Sequence, residues 1–381
     1  MRILHVIEGV DVRLGGLSTL LASITSMERI IGIDNEVLSL ECPEEYINQT
    51  IECPLRLFPA SFPARLSNSD QAIEWLSTHI HEYDAVVINS TWNLLSQRAG
   101  AVANKKGIPY AFWPHNSLDP FDLEKKKLLK LLLGPLVIRQ FVSNAAAICS
   151  SSKLESERLQ LFGAELPKYV LPYPVRFDGE KGDRMSFRKR YGLSDGQFTF
   201  LFLSRVDYKK GLDLAIEAFA TIAEEFPQAR LIVAGPDTKG YSQKIIRLIR
   251  TLNMEDRVKL IGTVAGQDKS DAFAGADCFV LTSLNDSFGI ALVEALQSGL
   301  PVLISDNVYI YEDVVRMKGG WVCQSEVESI KEAMKKIMAD KGGYQLKLRN
   351  ARKAGLYFSD LDRLKSIYGD FYDFLLNSAS Q

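Results

Sequence analysis

The chain is expected to be an α/β protein of two doubly wound, Rossmann-like domains, and three observations lead there. Short apolar runs recur along it: Ile3 to Ile7, Glu36 to Leu40, Ala85 to Asn89, Tyr110 to Trp113, Ala147 to Ser150, Phe198 to Leu203, Leu231 to Ala234, Val258 to Ile261, Cys278 to Leu281 and Pro301 to Ile304. Few of them alternate apolar with polar, the mark of strands buried on both faces, and stretches of helical spacing separate them. The series breaks once, between Pro172 and Gly196, where L-P-Y-P-V-R-F-D leads into a charged segment before a fresh strand at Phe198. At 381 residues the chain exceeds what a single core supports, so a linker there divides 1–175 from 176–360. Each domain then offers a ligand crevice at the carboxyl ends of its strands, and a cleft between them is the expected active site.

A hydrophobic fraction of 46%, a charged fraction of 24% and a net charge of -2 describe a globular protein with no overall attraction to nucleic acid, so any basic site must be local. Cys42, Cys53, Cys149, Cys278 and Cys323 form no C-x-x-C pair and are expected to be reduced. The first strand starts at the first residue, which leaves no room for a signal peptide, and no apolar run approaches a membrane span. A cytoplasmic location is expected.

In the first half, Gly15 and Gly16 of L-G-G-L-S-T-L open a helix whose apolar face includes Leu17, Leu20 and Leu21. Such a turn exposes backbone donors to an anion, although tight turns also use glycine for conformation alone. There is no G-x-G-x-x-G and no Walker A sequence, which argues against a dinucleotide oxidoreductase or an ATPase. Ser90, Trp92 and Asn93 occupy a strand-to-loop junction and are candidates for lining an acceptor pocket, with Trp92 equally suited to covering the core. His115, in F-W-P-H-N-S-L-D-P, follows a strand at its carboxyl end and is the histidine best placed for ligand contact. His5 is expected to be packed within a strand, and His79 and His81 to be solvated at a polar helix end. Residues 123–141 set Lys125, Lys126, Lys127 and Lys130 beside leucines. That segment is a candidate for peripheral contact with an anionic membrane, and the leucines from Leu131 onward are equally consistent with burial.

In the second half, the strand from Phe198 ends in S-R-V-D-Y-K-K-G-L-D. Arg205 and Lys210 are suited to a pyrophosphate, the first with a planar fork of donors and the second with a compact charge, while Gly211 allows the turn into a helix. The alternative is that Arg205 pairs with Asp207 and the lysines cap a solvated helix start. Farther on, S-L-N-D-S-F-G-I-A-L-V-E-A-L-Q-S-G-L-P carries Asp286 and Glu294. Ser287 is the expected N-cap of a helix opened by Phe288 and Gly289, whose N–H groups would point at an anion. Eight helical residues separate the two carboxylates by roughly 12 Å, a span suited to the two ends of a nucleotide sugar, and a carboxylate can accept from both hydroxyls of a diol. Two acids on an amphipathic helix are also common without any such role.

Together these motifs resemble glycosyltransferase family 4, the retaining enzymes of the GT-B fold, over nearly the whole chain. The likeness is strongest in Arg205, Lys210 and Gly211, in Val233 to Pro236, and in Asp286, Phe288, Gly289 and Glu294. It implies a hexosyltransferase moving glucose from a nucleotide diphosphate sugar, with UDP-glucose the expected donor, to a saccharide or lipid-linked saccharide in polysaccharide biosynthesis. By the resemblance, Arg205 and Lys210 bind the diphosphate, Glu294 the ribose and Asp286 the sugar. Phe288 and Gly289 offer backbone donors, and the base meets backbone at Thr263 and Val264. Gly15 and Gly16 approach phosphate and sugar, and His115 contacts a sugar hydroxyl. The catalytic set is then Asp286, His115, Arg205 and Lys210, with no metal and no other cofactor. The final segment, 361–381, resembles the helix that crosses back to the first domain. Asp286 stands where the family has glutamate, Tyr173 and Pro174 where it has asparagine and glycine, and Ser204 where it has glycine. Donor and hinge details are the features these departures touch. A nucleotide-sugar 2-epimerase of the same fold and a non-catalytic partner subunit are the alternatives.

Overall fold

The computed structural model describes residues 1–12, 16–125, 127, 128, 130, 134–177, 179–237 and 240–378. The chain forms two units, Met1–Pro174 with Asp360–Gln381, and Val175–Ser359.

The first unit holds a seven-stranded sheet of β1 (Arg2–Ile7), β2 (Asp34–Leu40), β3 (Leu55–Phe58), β4 (Ala85–Asn89), β5 (Tyr110–Phe112), β6 (Ala147–Ser150) and β7 (Lys168–Val170). Its order is β3-β2-β1-β4-β5-β6-β7, and every pairing is parallel. The second unit holds β8 (Phe198–Leu203), β9 (Ala229–Ala234), β10 (Val258–Leu260), β11 (Cys278–Leu281), β12 (Val302–Ser305) and β13 (Gly320–Cys323) in the order β10-β9-β8-β11-β12-β13, again all parallel. The expected fold class is therefore the observed one. Strand order reverses between β1 and β4 in one sheet and between β8 and β11 in the other, which makes the carboxyl ends of those strands the natural ligand crevices.

Three strands carry no signal among the apolar runs: β3, β7 and β13. All three lie at sheet edges, where one side lacks a neighbour; the pressure for a continuous apolar sequence is weaker at β3 and β7, whereas β13 is short but largely buried. Accordingly L-R-L-F is only half-buried along its length, and Lys168 is exposed.

Alternation sorts the residues of the first sheet between two cores. Leu4, Val6, Val86, Ile88 and Phe112 face the helices Asp70–His79 and Leu94–Lys106. Ile7 and Val37 lie on the opposite face with Leu21 of the helix Gly16–Ile30. His5 shares that second face, which is why a histidine inside a strand meets Glu28 of that helix. The terminal helix Leu361–Asn377 belongs to this unit. It buries Tyr368, Phe371, Tyr372 and Leu375, with Phe371 edge-on to Tyr169 and the Tyr368 hydroxyl donating to the Pro172 carbonyl at 3.2 Å.

His79 departs from expectation: it is half-buried and stacked on Trp75 at 4.7 Å, because a ring one helical turn away covers it. Cys53, Cys149, Cys278 and Cys323 are buried thiols and Cys42 is half-buried. No described helix is long and apolar enough to cross a membrane. In 123–141, Lys125 pairs with Asp122 at 3.0 Å, Lys127 with Glu124 at 2.7 Å, and Lys130 donates to the Asp122 carbonyl at 2.7 Å. Ile138, Phe141 and Val142 enter the core, whereas Leu128 is 80% exposed. Lys126 and Leu131 lie outside the described residues.

Candidate functional site

In the second unit the chain leaves β8 through Ser204 and Arg205 into a turn that Asp207 caps, its carboxylate accepting from the Lys209 N–H at 2.9 Å. Gly211 then takes a left-handed φ of 64° and starts the helix Leu212–Ala223. A Cβ there would run into the Thr282 carbonyl oxygen, and the Thr282 hydroxyl donates to the Gly211 carbonyl at 2.8 Å. The Leu284 N–H donates to the Lys209 carbonyl at 2.8 Å. The loop after β8 is thus fastened to the loop after β11, and Lys210 meets Asp286 with Nζ and Oδ2 2.5 Å apart. Arg205 is half-buried and forms no ion pair with a described residue, Asp207 included. The alternative in which Asp207 neutralises it is not what the loop adopts.

Asp286 is held from both sides. Its N–H donates to the Asn307 carbonyl at 2.9 Å and its carbonyl accepts from the Tyr309 N–H at 2.9 Å. Its Oδ1 accepts from the N–H groups of Phe288 at 3.4 Å and Gly289 at 3.1 Å. Burial pushes this carboxyl up, but Lys210, the Phe288 N–H and Lys209 outweigh it and hold the group below the ordinary carboxylate value.

The expected cap needs correction. The helix is Ile290–Gln297, with Gly289 in the N-cap position at φ 77° rather than Ser287. The left-handed turn at Gly289 delays the helix, and the Asp286 carboxylate already accepts from the two N–H groups expected to face an anion. Phe288 is itself buried, edge-on to Phe358 at 6.0 Å.

Glu294 lies on that helix and pairs with Lys269, with Oε1 and Nζ 2.5 Å apart. Burial raises its carboxyl above the ordinary value, and Lys269 only partly offsets this. Lys269 stands on the helix Gly266–Gly275, whose N-cap, Ala265, follows Thr263 and Val264. Thr263 is exposed and Val264 half-buried. Nothing in G-Q-D-K-S-D distinguishes Lys269 from a surface lysine; only packing of two helices brings it to Glu294.

In the first unit, His115 and Asn116 both have positive φ, 46° and 71°. The turn is supported from behind by buried Glu155, which accepts from the Asn116 N–H at 2.8 Å and from the Ser151 N–H at 2.7 Å. Burial raises the Glu155 carboxyl, and the Ser151 and Asn116 bonds oppose that rise. The His115 ring stacks on Trp113 at 5.2 Å and on Tyr173 at 5.9 Å. Its Nδ1 lies 2.8 Å from the Tyr173 hydroxyl and its Nε2 3.1 Å from Asn89 Oδ1. Burial, with His5 nearby, lowers its pKa to about 3, so the ring is neutral at physiological pH. Asn89 was not singled out by sequence, where an asparagine ending an otherwise apolar strand is the one available signal, and Tyr173 was named only as a departure at the linker.

Asn93 is the N-cap of the helix Leu94–Lys106, accepting from the Ser96 N–H at 2.7 Å. Its amide donates to Ser90 Oγ at 2.9 Å and to Glu8 Oε2 at 3.1 Å. Trp92 packs on the core, with its indole N–H donating to the Ser117 carbonyl at 3.0 Å. The geometry of all three is that of a braced strand end. Gly16 opens the helix Gly16–Ile30, and Gly15 lies outside the described residues.

Two parallel-sheet units of this kind define the GT-B class of glycosyltransferase folds. The structure superposes on the Anabaena protein HepE in complex with UDP and glucose with a TM-score of 0.77 at 20% identity, covering 98% of this chain and 99% of that one. Sucrose-phosphate synthase from Thermosynechococcus elongatus gives 0.79 at 17% identity, with 98% of each chain covered. The chain matches the model of the glycosyl transferases group 1 over residues 183–355. It is also 24% identical over 217 residues to the alpha-monoglucosyldiacylglycerol synthase of Streptococcus pneumoniae, a match of 55% of this chain and 49% of that protein. The chain thus spans about half the length of that curated relative.

Proposed function

We propose that the protein is a retaining, metal-independent glycosyltransferase that moves glucose from UDP-glucose to a saccharide or lipid-linked saccharide acceptor in polysaccharide biosynthesis. The observation that carries the reading is the arrangement at the switch point of the second unit. There the loop after β8 supplies Arg205 and Lys210, the loop after β11 supplies Asp286, and Glu294 with Lys269 lies on the helix that follows. Cations for a diphosphate, one carboxylate for a sugar and another for a ribose occur in the order a nucleotide sugar requires. UDP and glucose are what HepE is described with, and glucosyl appears in the name of the pneumococcal relative.

In this reading the bond from the anomeric carbon to the diphosphate oxygen breaks, and its electron pair goes to that oxygen beside Arg205 and Lys210. An acceptor hydroxyl oxygen bonds to the same face of the anomeric carbon, and its proton passes to the departing phosphate. Asp286, on releasing Lys210, and His115 orient the sugar. Phe288 and Gly289 present their N–H groups once the Asp286 carboxylate turns to the ligand, and backbone at Thr263 and Val264 meets the base. Loops of the first unit, with Ser90, Trp92 and Asn93, take the acceptor.

The test is nucleotide release and binding across UDP-, GDP- and ADP-sugars with EDTA present, comparing wild type with Glu294→Ala. UDP release from UDP-glucose, retained in EDTA and lost in the variant, is expected. Conversion of the donor into a sugar isomer without any acceptor would make the protein an epimerase, and failure to bind any donor would make it a non-catalytic subunit.

A cytoplasmic location with peripheral membrane contact through 123–141 is part of the same proposal, supported by exposed Leu128 among lysines. Reversing the charges of Lys125, Lys127 and Lys130 is expected to weaken binding to anionic liposomes; equal binding would remove this element.

A further inference from the structure

Behind His115 runs a line of buried polar groups that the proposed chemistry does not use. Asn89 Nδ2 lies 3.2 Å from the Val87 carbonyl and 3.1 Å from His5 Nδ1. His5 Nε2 lies 2.9 Å from both oxygens of Glu28, and His5, Asn89 and Glu28 are fully buried. Glu28 also accepts from the Asn35 amide at 2.8 Å and from the Tyr372 hydroxyl of the terminal helix.

The direction of every bond follows from its two ends. A carboxylate only accepts, so His5 carries its proton on Nε2 and presents Nδ1 as an acceptor to the Asn89 amide. The Val87 carbonyl also only accepts, which independently turns the Asn89 NH₂ group to that side. Asn89 Oδ1 must then face His115, and the proton of His115 must sit on Nε2. Its Nδ1 accepts from the Tyr173 hydroxyl. The other tautomer would set a bare Nε2 against the bare Oδ1 of Asn89, losing a hydrogen bond in a buried setting.

We propose that Asn89, His5 and Glu28 are positioning residues that lock His115 with its proton on Nε2, so that His115 meets a sugar hydroxyl as an acceptor through Nδ1, in place of Tyr173. The sugar contact rests on the function proposed above; the lock does not. In this arrangement His115 orients a hydroxyl and donates nothing to it. The terminal helix takes part, because Tyr372 closes the line at Glu28.

The experiment is nitrogen NMR of the full chain labelled in histidine, at neutral pH, with His115→Gln used to assign the His115 signals among the four histidines. Wild type is expected to show His115 Nε2 protonated and Nδ1 unprotonated. Asn89→Leu removes the acceptor and is expected to move both His115 shifts toward a mixture of tautomers. Glu28→Gln is expected to do the same first at His5. A protonated Nδ1 in wild type overturns the proposal, and that result needs no variant to fold. An unchanged His115 spectrum in folded Asn89→Leu overturns it as well. The expected spectra, obtained from a protein that turns over no nucleotide sugar, would sustain the lock and sink the transferase reading.

Discussion

Lys210→Ala is expected to lower the rate of donor cleavage by about 10²–10³-fold, the cost of removing one preorganised group that stabilises charge on a leaving oxygen. Lys210 sits at the carboxyl end of β8 with its ammonium 2.5 Å from Asp286, and a departing diphosphate competes for that same charge. Two effects must be separated, because the substitution also orphans Asp286, a carboxylate only 12% exposed. Leaving one partner of a buried pair costs about 3–5 kcal/mol in the fully buried limit, and the residual exposure here makes the loss smaller. The double variant Lys210→Ala with Asp286→Asn removes the orphaned charge without restoring a cation. Its stability is expected to recover toward wild type while its turnover stays low. Measuring single turnover and urea midpoints for both variants distinguishes the two contributions. Wild-type cleavage in stable Lys210→Ala would exclude Lys210 from the diphosphate site.

Gly211→Ala is expected to be strongly damaging to the second unit. The residue has φ 64°, and its Cβ would collide with the Thr282 carbonyl oxygen, which is backbone and cannot swing aside. A non-glycine residue in the left-handed region costs about 1–3 kcal/mol, and overpacking costs typically 1–3 kcal/mol more. Gly299→Ala carries the first contribution alone, since it has φ 84° with nothing within 4 Å of the added atom, so the difference between the two variants reports the second. The Gly211 variant is therefore expected to unfold at lower urea than the Gly299 variant. It should also lose donor turnover, because the clash separates the loop bearing Lys210 from the loop bearing Asp286. Equal midpoints for the two variants would show that the contact with Thr282 can relax.

The parallel sheets were legible because strands buried on both faces require continuous apolar runs, and those runs stand out against helical spacing. The edge strands β3 and β7 were not, since half-buried strands carry weaker patterns. Among candidate site residues, Arg205, Lys210, Asp286 and Glu294 could be named because their spacing around strand ends is local. The cap of the helix Ile290–Gln297 was assigned to Ser287 because serine is a good cap in isolation. The left-handed turn at Gly289, with Asp286 accepting from its N–H, prevailed instead.

What the amino-acid order determined alone is the architecture and the roster of charged groups at the strand ends, because periodicity and turn chemistry act over a few residues. The pairings were decided by tertiary structure. Lys269 reaches Glu294 across 25 positions, and Asn89 links His5 to His115 across 84 and 26. Such partners are set by which helix covers which face of a sheet, and no spacing within a single element encodes that.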